Sequence, residues 1–382
     1  MKKMFFYAAV AGVAFASCTK GIDAPVNNGT NNEPAISFQM SSSFDVTVRG
    51  TGAVGGLGTP EDPNNWNEEE LNVYMFDQST LDLTFNATTG VNYFENTTVT
   101  APKTGSSDTI TYGNGKLQYY PSSGEFDFFA YHGDDAVTVA PALNAAKDAF
   151  TVPVVITGEQ DLMVAKAALN DLDRETIIAW ETNNPGKAFD YARVYSAYSA
   201  RRDVQPRFTF KHLLSRFVFQ AEAAEDGAAG EDGIKITRIV VKAPSKGVMT
   251  VAALDESELG VVFGTEPADS ADMELTDRSK PMAVKDLIHG ESVRMGESML
   301  LPAGGTQYVA HIYYKQEKKN DDGTITTIND VYVAPIVLKD NKPFEAGTQY
   351  KVNIKVYDFM TIVLTADLQA WKEGEDIPVD SE

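Results

Sequence analysis

"QYVAHIYYKQEKKNDDGTITTINDVYVAPIVL", Gln307–Leu338, is two arms of alternating apolar and polar residues around "NDDG", Asn320–Gly323. Alternation with a period of two marks a strand with one face buried, and an Asn-Asp-Gly cluster between two such arms marks a hairpin turn. The same signature recurs along the chain. "LNVYMFD" (Leu71–Asp77) sets Leu71, Val73 and Met75 on one face, and "GEFDFFAYHG", "AFTVPVVITG" and "RFTFKHL" are runs of the same kind. In "GIKITRIVVKA" the residues Ile234, Ile236 and Ile239 lie near a common face with a slip, which predicts a bulge. Helical turns are expected only in "DLMVAKAALNDLD" (Asp161–Asp173) and "GKAFDYARVYSAYSA". No repeat with a period of about 20–50 residues is visible, which argues against solenoids and propellers. The chain therefore reads as predominantly β. Its 382 residues allow two domains, and a boundary is expected near Pro206, where strand alternation lapses before "RFTFKHLLSRFVFQAEA".

The beginning of the chain sets an address. Lys2 and Lys3 precede an apolar run, "MFFYAAVAGVAFA" (Met4–Ala16), of signal-peptide length. It is shorter than the ~20 apolar residues a spanning helix needs. The run ends in "FASC", and Cys18 is the lone cysteine, so no internal disulfide can form. A cysteine in that place resembles the bacterial lipobox, in which the thiol is acylated. Residues 1–17 then read as a lipoprotein signal peptide, and "TKGIDAPVNNGTNNEPA" as a polar tether behind the lipid. The chain carries 54 acidic against 32 basic residues, a formal charge of −22. That balance argues against nucleic acid and against anionic membrane as electrostatic partners.

Two strands at the ends of the chain are unusual. "ISFQMSSSFDVTVRG" (Ile36–Gly50) places Ile36, Phe38, Met40, Phe44, Val46 and Val48 on one face, interrupted by Ser42, and stops at an isolated Arg49 before a glycine-rich run. At the other end, "TQYKVNIKVYDFMTIVLTADLQAW" continues past Asp358 with Met360, Ile362, Leu364, Ala366, Leu368 and Ala370 all apolar. Strands usually run about 3–10 residues, so this is more strand than one sandwich layer needs.

Chemistry is hard to find. His132, His212, His289 and His311 are far apart and in no metal-binding spacing, and Lys318 stands where a calcium loop centred on "NDDG" needs its first ligand. There is no GxSxG and no phosphate-binding Walker loop, and with 54 acids a carboxylate pair selects nothing. No cofactor and no catalysis are expected. Trp66, Trp180 and Trp371 are widely spaced, more fitting for packing at sandwich edges than for a sugar-stacking platform.

"FTFKHLLSRFVFQAEA" (Phe208–Ala223), "EQDLMVAKA" (Glu159–Ala167) ahead of it, the ending "VLTADLQAWKEGEDIPV" and the lipobox occur in an order that resembles the fimbrillins, the type V pilins of Gram-negative anaerobes. The resemblance implies two tandem transthyretin-like (Ig-like, Greek-key) β-sandwich domains, here 50–206 and 207–382, preceded by a propeptide at 18–49. It implies export as an outer-membrane lipoprotein through Cys18, and cleavage between Arg49 and Gly50 by an Arg-specific surface protease. The placeholder strand (Ile36, Phe38, Met40, Phe44, Val46, Val48) would then give way to a donor strand from another fimbrial subunit, of the same or a related kind. The chain's own donor would lie at 358–371, with Met360, Ile362, Leu364, Ala366 and Leu368 as its apolar row. The resulting extracellular fimbrium would support adhesion to a host or bacterial surface. In the residues alone, Ile36–Val48 also fits the permanent first strand of a sandwich, and His212 a core hydrogen-bonding residue. A glycan-binding surface lipoprotein, or an anchor or tip subunit of the same fimbria, stays open as an alternative.

Overall fold

The computed structural model describes residues 36–40, 69–83, 94–101, 111–112, 118–230, 233–277, 280–357 and 362–369. In chain order the strands of the first part are β1 (Gln39–Met40), β2 (Glu70–Asp77), β3 (Thr97–Thr100), β4 (Thr111–Tyr112), β5 (Phe126–His132), β6 (Ala142–Leu143), β7 (Ala149–Val155), β8 (Met163–Lys166), β9 (Arg207–Phe208) and β10 (Lys211–His212). The second part adds β11 (Leu214–Ala223), β12 (Ile234–Pro244), β13 (Lys246–Ala253), β14 (Gly260–Phe263), β15 (Ser270–Glu274), β16 (Lys285–Asp286), β17 (Val293–Arg294), β18 (Met299–Pro302), β19 (Gln307–Lys319), β20 (Ile325–Val337), β21 (Gln349–Val356) and β22 (Ile362–Gln369). Helix α1 (Asp171–Asn183) and the short α2 (Ala197–Ala200) lie between β8 and β9. The fold is an all-β sandwich.

The strands order into layers. One sheet runs β10-β8-β5-β2-β3-β4 and another β14-β13-β7-β6. A third runs β17-β11-β21-β22 with β18 also on β11, and a fourth β15-β12-β19-β20 with β16 also on β12. The β7–β13 ladder, from Lys246↔Val155 to Ala253↔Ala149, ties chain on either side of residue 206 into one sheet. A single apolar cluster takes residues from all four sheets, among them Tyr74, Val152, Phe217 and Ile312.

Why β2 and β5 are so rich in apolar residues follows from their position. They sit inside the first sheet, and both of its faces are covered. Tyr74, Phe76, Phe129 and Tyr131 join the large cluster, while Leu71, Val73, Met75, Phe126, Phe128 and Ala130 turn the other way into a second one. Buried on both sides, such a strand has little need of polar alternation.

The 307–338 hairpin forms as its pattern predicts, with β19 and β20 paired from Gln307↔Val337 to Lys319↔Ile325. Its turn is held by the Asn320 amide, which donates to the hydroxyls of Thr324 and Thr326 at 2.9 Å, and by Gly323 at φ +83°. That positive φ is cheap only for a residue without Cβ. β20 ends the sheet order, and Pro335 within it suits an edge strand, where the missing N–H breaks no ladder. The bulge expected in "GIKITRIVVKA" appears as a register shift between Ile236 and Arg238 against β19.

The helical expectation at Asp161–Asp173 is corrected. Met163–Lys166 is β8, inside the first sheet, and the helix begins only at Asp171. The "GKAFDYARVYSAYSA" stretch does carry short turns, a 3₁₀ turn at Tyr191–Arg193 and α2.

Candidate functional site

Ile36 and Phe38 are both fully buried in the second cluster. The Phe38 ring lies 4.7 Å from that of Phe94 and 5.4 Å from that of Phe128, both edge-on, and 5.4 Å from Phe208 in a tilted pair. Centroid separations of ~4.5–7 Å with edge-on geometry are the favourable arrangement for aromatic pairs, each worth ~0.5–1.5 kcal/mol beyond the area buried. The backbone is held as well. The Ile36 N–H donates to the Gln118 carbonyl at 2.8 Å, and the Ser37 N–H to Gln205 Oε1 at 3.2 Å. Gln39 and Met40 then pair in parallel with Arg207 and Phe208. Residues 36–40 therefore fill a slot whose floor is β5 and whose side is β9.

The side of that slot is braced by the helical connection. Asn170 caps α1 by accepting from the Asp173 N–H at 3.0 Å, and the Asp173 carboxylate accepts from the Asn170 N–H at 3.0 Å, a reciprocal capping box. The same carboxylate meets the Arg207 guanidinium at 3.3 Å, with both side chains buried. Behind it stands Tyr195, at φ +56°, with its hydroxyl buried. Burial pushes the Tyr195 phenol well above its ordinary pKa, and the Asp173 charge adds to that. Further out, the Arg202 guanidinium stacks on Tyr198 at 3.5 Å and on Trp180 at 4.6 Å. Trp180 thus packs on this connection, half-buried, against Phe189.

The C-terminal strand is placed elsewhere. β22 pairs antiparallel with β21 of its own chain, from Val356↔Ile362 to Gln349↔Gln369. Ile362 is buried and Leu364 half-buried against the large cluster, and Ala366 and Leu368 take part through backbone register with Val352 and Tyr350. Among the described residues the two end segments serve different clusters, Phe38 one and Ile362 the other. Met40 is placed by its backbone pairing alone. Cys18, Phe44, Val46, Val48, Arg49, Gly50 and Met360 lie outside the described residues, as do Trp66 and Trp371.

The histidines are not brought together as a metal site. His132 and His212 are both paired in register with Met163, on either side of it in the first sheet. His212 Nδ1 is 3.0 Å from Asp161 Oδ1, in a buried pair. His132 Nδ1 lies 2.8 Å from the Glu70 carbonyl, and its Nε2 is 3.6 Å from Asp134. Burial alone would lower the His132 pKa, but Asp134, the Glu70 carbonyl and Asp161 together hold it above the ordinary value. His132 lines a polar cleft of about 530 Å³ with Glu69, Glu70, Asp134 and Asp135. Among the described residues no group of three or more His, Cys, Asp or Glu is arranged to hold a metal ion.

The slot's lining was not singled out in the sequence. Phe94, Phe128 and Phe208 stand in three different runs, and only the rings at alternate positions in "GEFDFFAYHG" and "RFTFKHL" hint at a common core.

A family model described as fimbrillin-like matches residues 59–371. Among solved structures, a fimbrial protein from Bacteroides vulgatus is similar at TM-score 0.51 and 14% identity, covering 89% of this chain and 100% of the other. The fimbrial anchor protein Mfa2 from Porphyromonas gingivalis matches at TM-score 0.35 and 10% identity, over 88% of this chain and 98% of its own. No curated protein matches.

Proposed function

The chain belongs to the fimbrillin-like family, and on that premise we propose that it is a structural subunit of a cell-surface fimbrium, joined to its neighbours by strand exchange. It acts without catalysis and without a cofactor. In this reading Cys18 is acylated and holds the precursor on the outer membrane. An Arg-specific protease then cuts between Arg49 and Gly50, the segment ending at Arg49 leaves with its lipid, and a strand from another subunit enters the vacated slot. The observation that carries the reading is the complete burial of Ile36 and Phe38 in the second apolar cluster.

The physics favours a trigger. While the segment is covalently attached, its effective concentration at the slot is high, and a free strand competes poorly. Once the link at Arg49 is cut, the segment can leave for good. The vacated slot exposes aromatic core and unpaired backbone, which only another strand can cover. The domains of this proposal, 50–206 and 207–382, share the β7–β13 ladder rather than hanging on a tether.

The test is the amino terminus of the mature surface protein. A start at Gly50 supports the reading, and acylated Cys18 in all of the protein would overturn it. An Arg49→Ala variant should stay lipid-bound and unassembled; normal assembly of that variant would remove the cleavage step.

A second reading has one observation in its favour. β22 is fully paired with β21 of the same chain, as suits an anchor or tip subunit that offers no tail to a neighbour. Such a subunit would assemble normally after deletion of everything beyond Tyr357.

A further inference from the structure

We propose that the polar cleft beside His132 is a binding site for a primary ammonium group carried on an alkyl chain. This goes beyond the fimbrial reading and uses none of the residues that line the first-strand slot. The cleft, of about 530 Å³, has the size of a small-ligand site, and its walls come from the start of β2, the end of β5 and the 3₁₀ turn Asp134–Ala136. Four acidic residues line it, Glu69, Glu70, Asp134 and Asp135, and among the described lining residues there is no lysine or arginine. Low-dielectric walls carrying charges of one sign concentrate the field, so the cleft favours a cation.

An acidic lining alone would not specify the cation. His132 does. Its ring is 3% exposed, and its Nδ1 lies 2.8 Å from the Glu70 carbonyl. A carbonyl only accepts, so Nδ1 carries the proton, and Nε2 of the neutral ring is left as a lone pair. That Nε2 is buried without a hydrogen-bond partner, with Asp134 Oδ2 at 3.6 Å. Both atoms are acceptors, so neither satisfies the other, and a single nitrogen about 2.9 Å from each can donate to both. Leaving a buried acceptor without a donor is costly, and an entering N–H removes that cost. An ammonium group brings three N–H donors, two for this pair and one for a further carboxylate. Tyr131 and the half-buried Val137 add an apolar wall for the carbons behind it. A metal ion fits less well, since among the described residues no group of three or more His, Cys, Asp or Glu is arranged to hold one.

A proton on Nε2 would occupy the same place as the ammonium. Burial opposes that proton, but Asp134, the Glu70 carbonyl and Asp161 together favour it. The remaining charged groups around the ring are Glu69 and Glu70 at the start of β2, Asp135 on the turn, and His212 of β10, which is paired with Asp161. Amine and proton therefore compete, and the amine binds more tightly as pH rises.

Two sources carry this chemistry, a lysine side chain of a neighbouring protein and a free diamine. The test is calorimetric titration of the full-length chain with diaminobutane and, separately, with Nα-acetyl-lysine methylamide. Equal binding of both assigns the site to a lysine side chain, and binding of the diamine alone assigns it to a free diamine. Affinity should rise severalfold from about pH 6 to about pH 8, with a proton released to the buffer. The uncharged n-pentanol should not bind. Asp134→Asn should weaken binding by about tenfold or more, and His132→Gln, which keeps an acceptor but takes up no proton, should bind without pH dependence. Absence of binding by either amine, equal binding of the alcohol, unchanged affinity in Asp134→Asn, or wild-type pH dependence in His132→Gln would overturn the proposal.

Discussion

Asp173 and Arg207 form a buried ion pair, carboxylate to guanidinium at 3.3 Å, that joins the first turn of α1 to the short strand β9. Arg207 is also the residue opposite Gln39 in the β1–β9 pairing, so the helix that sequence patterning overlooked braces the slot that the first strand occupies. A buried pair of this kind adds little net stability over apolar residues, but losing one partner strands the other charge, at about 3–5 kcal/mol. Asp173→Ala should therefore destabilise the protein by about that much in urea unfolding. An Asp173→Leu, Arg207→Met double variant should recover most of the loss. Similar midpoints for Asp173→Ala and wild type would show that the pair does not brace the slot.

Phe38→Ala empties a box lined by three rings, Phe94, Phe128 and Phe208. Deleting a buried phenylalanine side chain costs about 3–5 kcal/mol. The effect should appear as a lowered thermal midpoint and as faster cleavage after Arg49 by an Arg-specific protease, since the first strand is the part most directly released. An unchanged cleavage rate would count against the strand's attachment through Phe38.

Ile362→Asp places a charge where a buried side chain now packs against the large cluster. Hydrogen exchange should then rise across Ile362–Gln369 and along the β21 edge it covers, while Arg207–Phe208 stays protected. Uniform loss of protection would mean that the two clusters unfold as one unit.

The His132 pKa is raised in the folded protein, because Asp134, the Glu70 carbonyl and Asp161 outweigh the burial that would lower it. A group whose folded pKa lies above its unfolded one contributes stability that is full below the unfolded value of 6.5 and is lost as pH rises through the folded value. Unfolding midpoints should therefore fall as pH is raised from about 6 towards 8, and His132→Gln should flatten that part of the profile. A His132→Gln profile parallel to the wild type would assign the pH dependence to another group.

Strands with one face towards water, such as β20, are legible through alternation, and the doubly covered β2 and β5 through their apolar and aromatic richness. The 307–338 hairpin and the Ile236–Arg238 bulge could be read residue by residue. α1 could not. Of its thirteen residues only Asp173 and Ile177 are buried, so it has almost no apolar stripe to betray it, and its capping box is built from Asn170 and Asp173 in place of the more telling serine and glutamate. Met163–Lys166 was mistaken for helix because a short strand buried on both faces shows no alternation. Of the slot, the sequence offered the plug, Ile36 and Phe38, but not the socket. Phe94, Phe128 and Phe208 converge only through the pairing of distant strands, which no local pattern encodes.

The parallel ladder between β11 and β21, from Arg216↔Gln349 to Ala223↔Val356, spans most of the C-terminal half of the chain. Contacts that distant in sequence cannot form until the intervening segment is all present, and closing so large a loop is slow. β11 meanwhile presents an apolar strand with an open side: Phe217 and Phe219 wait for Tyr350 and Val352. A chain emerging from its amino end would thus hold the sheet around β11 unfinished until Gln349–Val356 arrive. The time of greatest exposure to misassembly is fixed by the sheet's connectivity, and a holding chaperone would act within that interval.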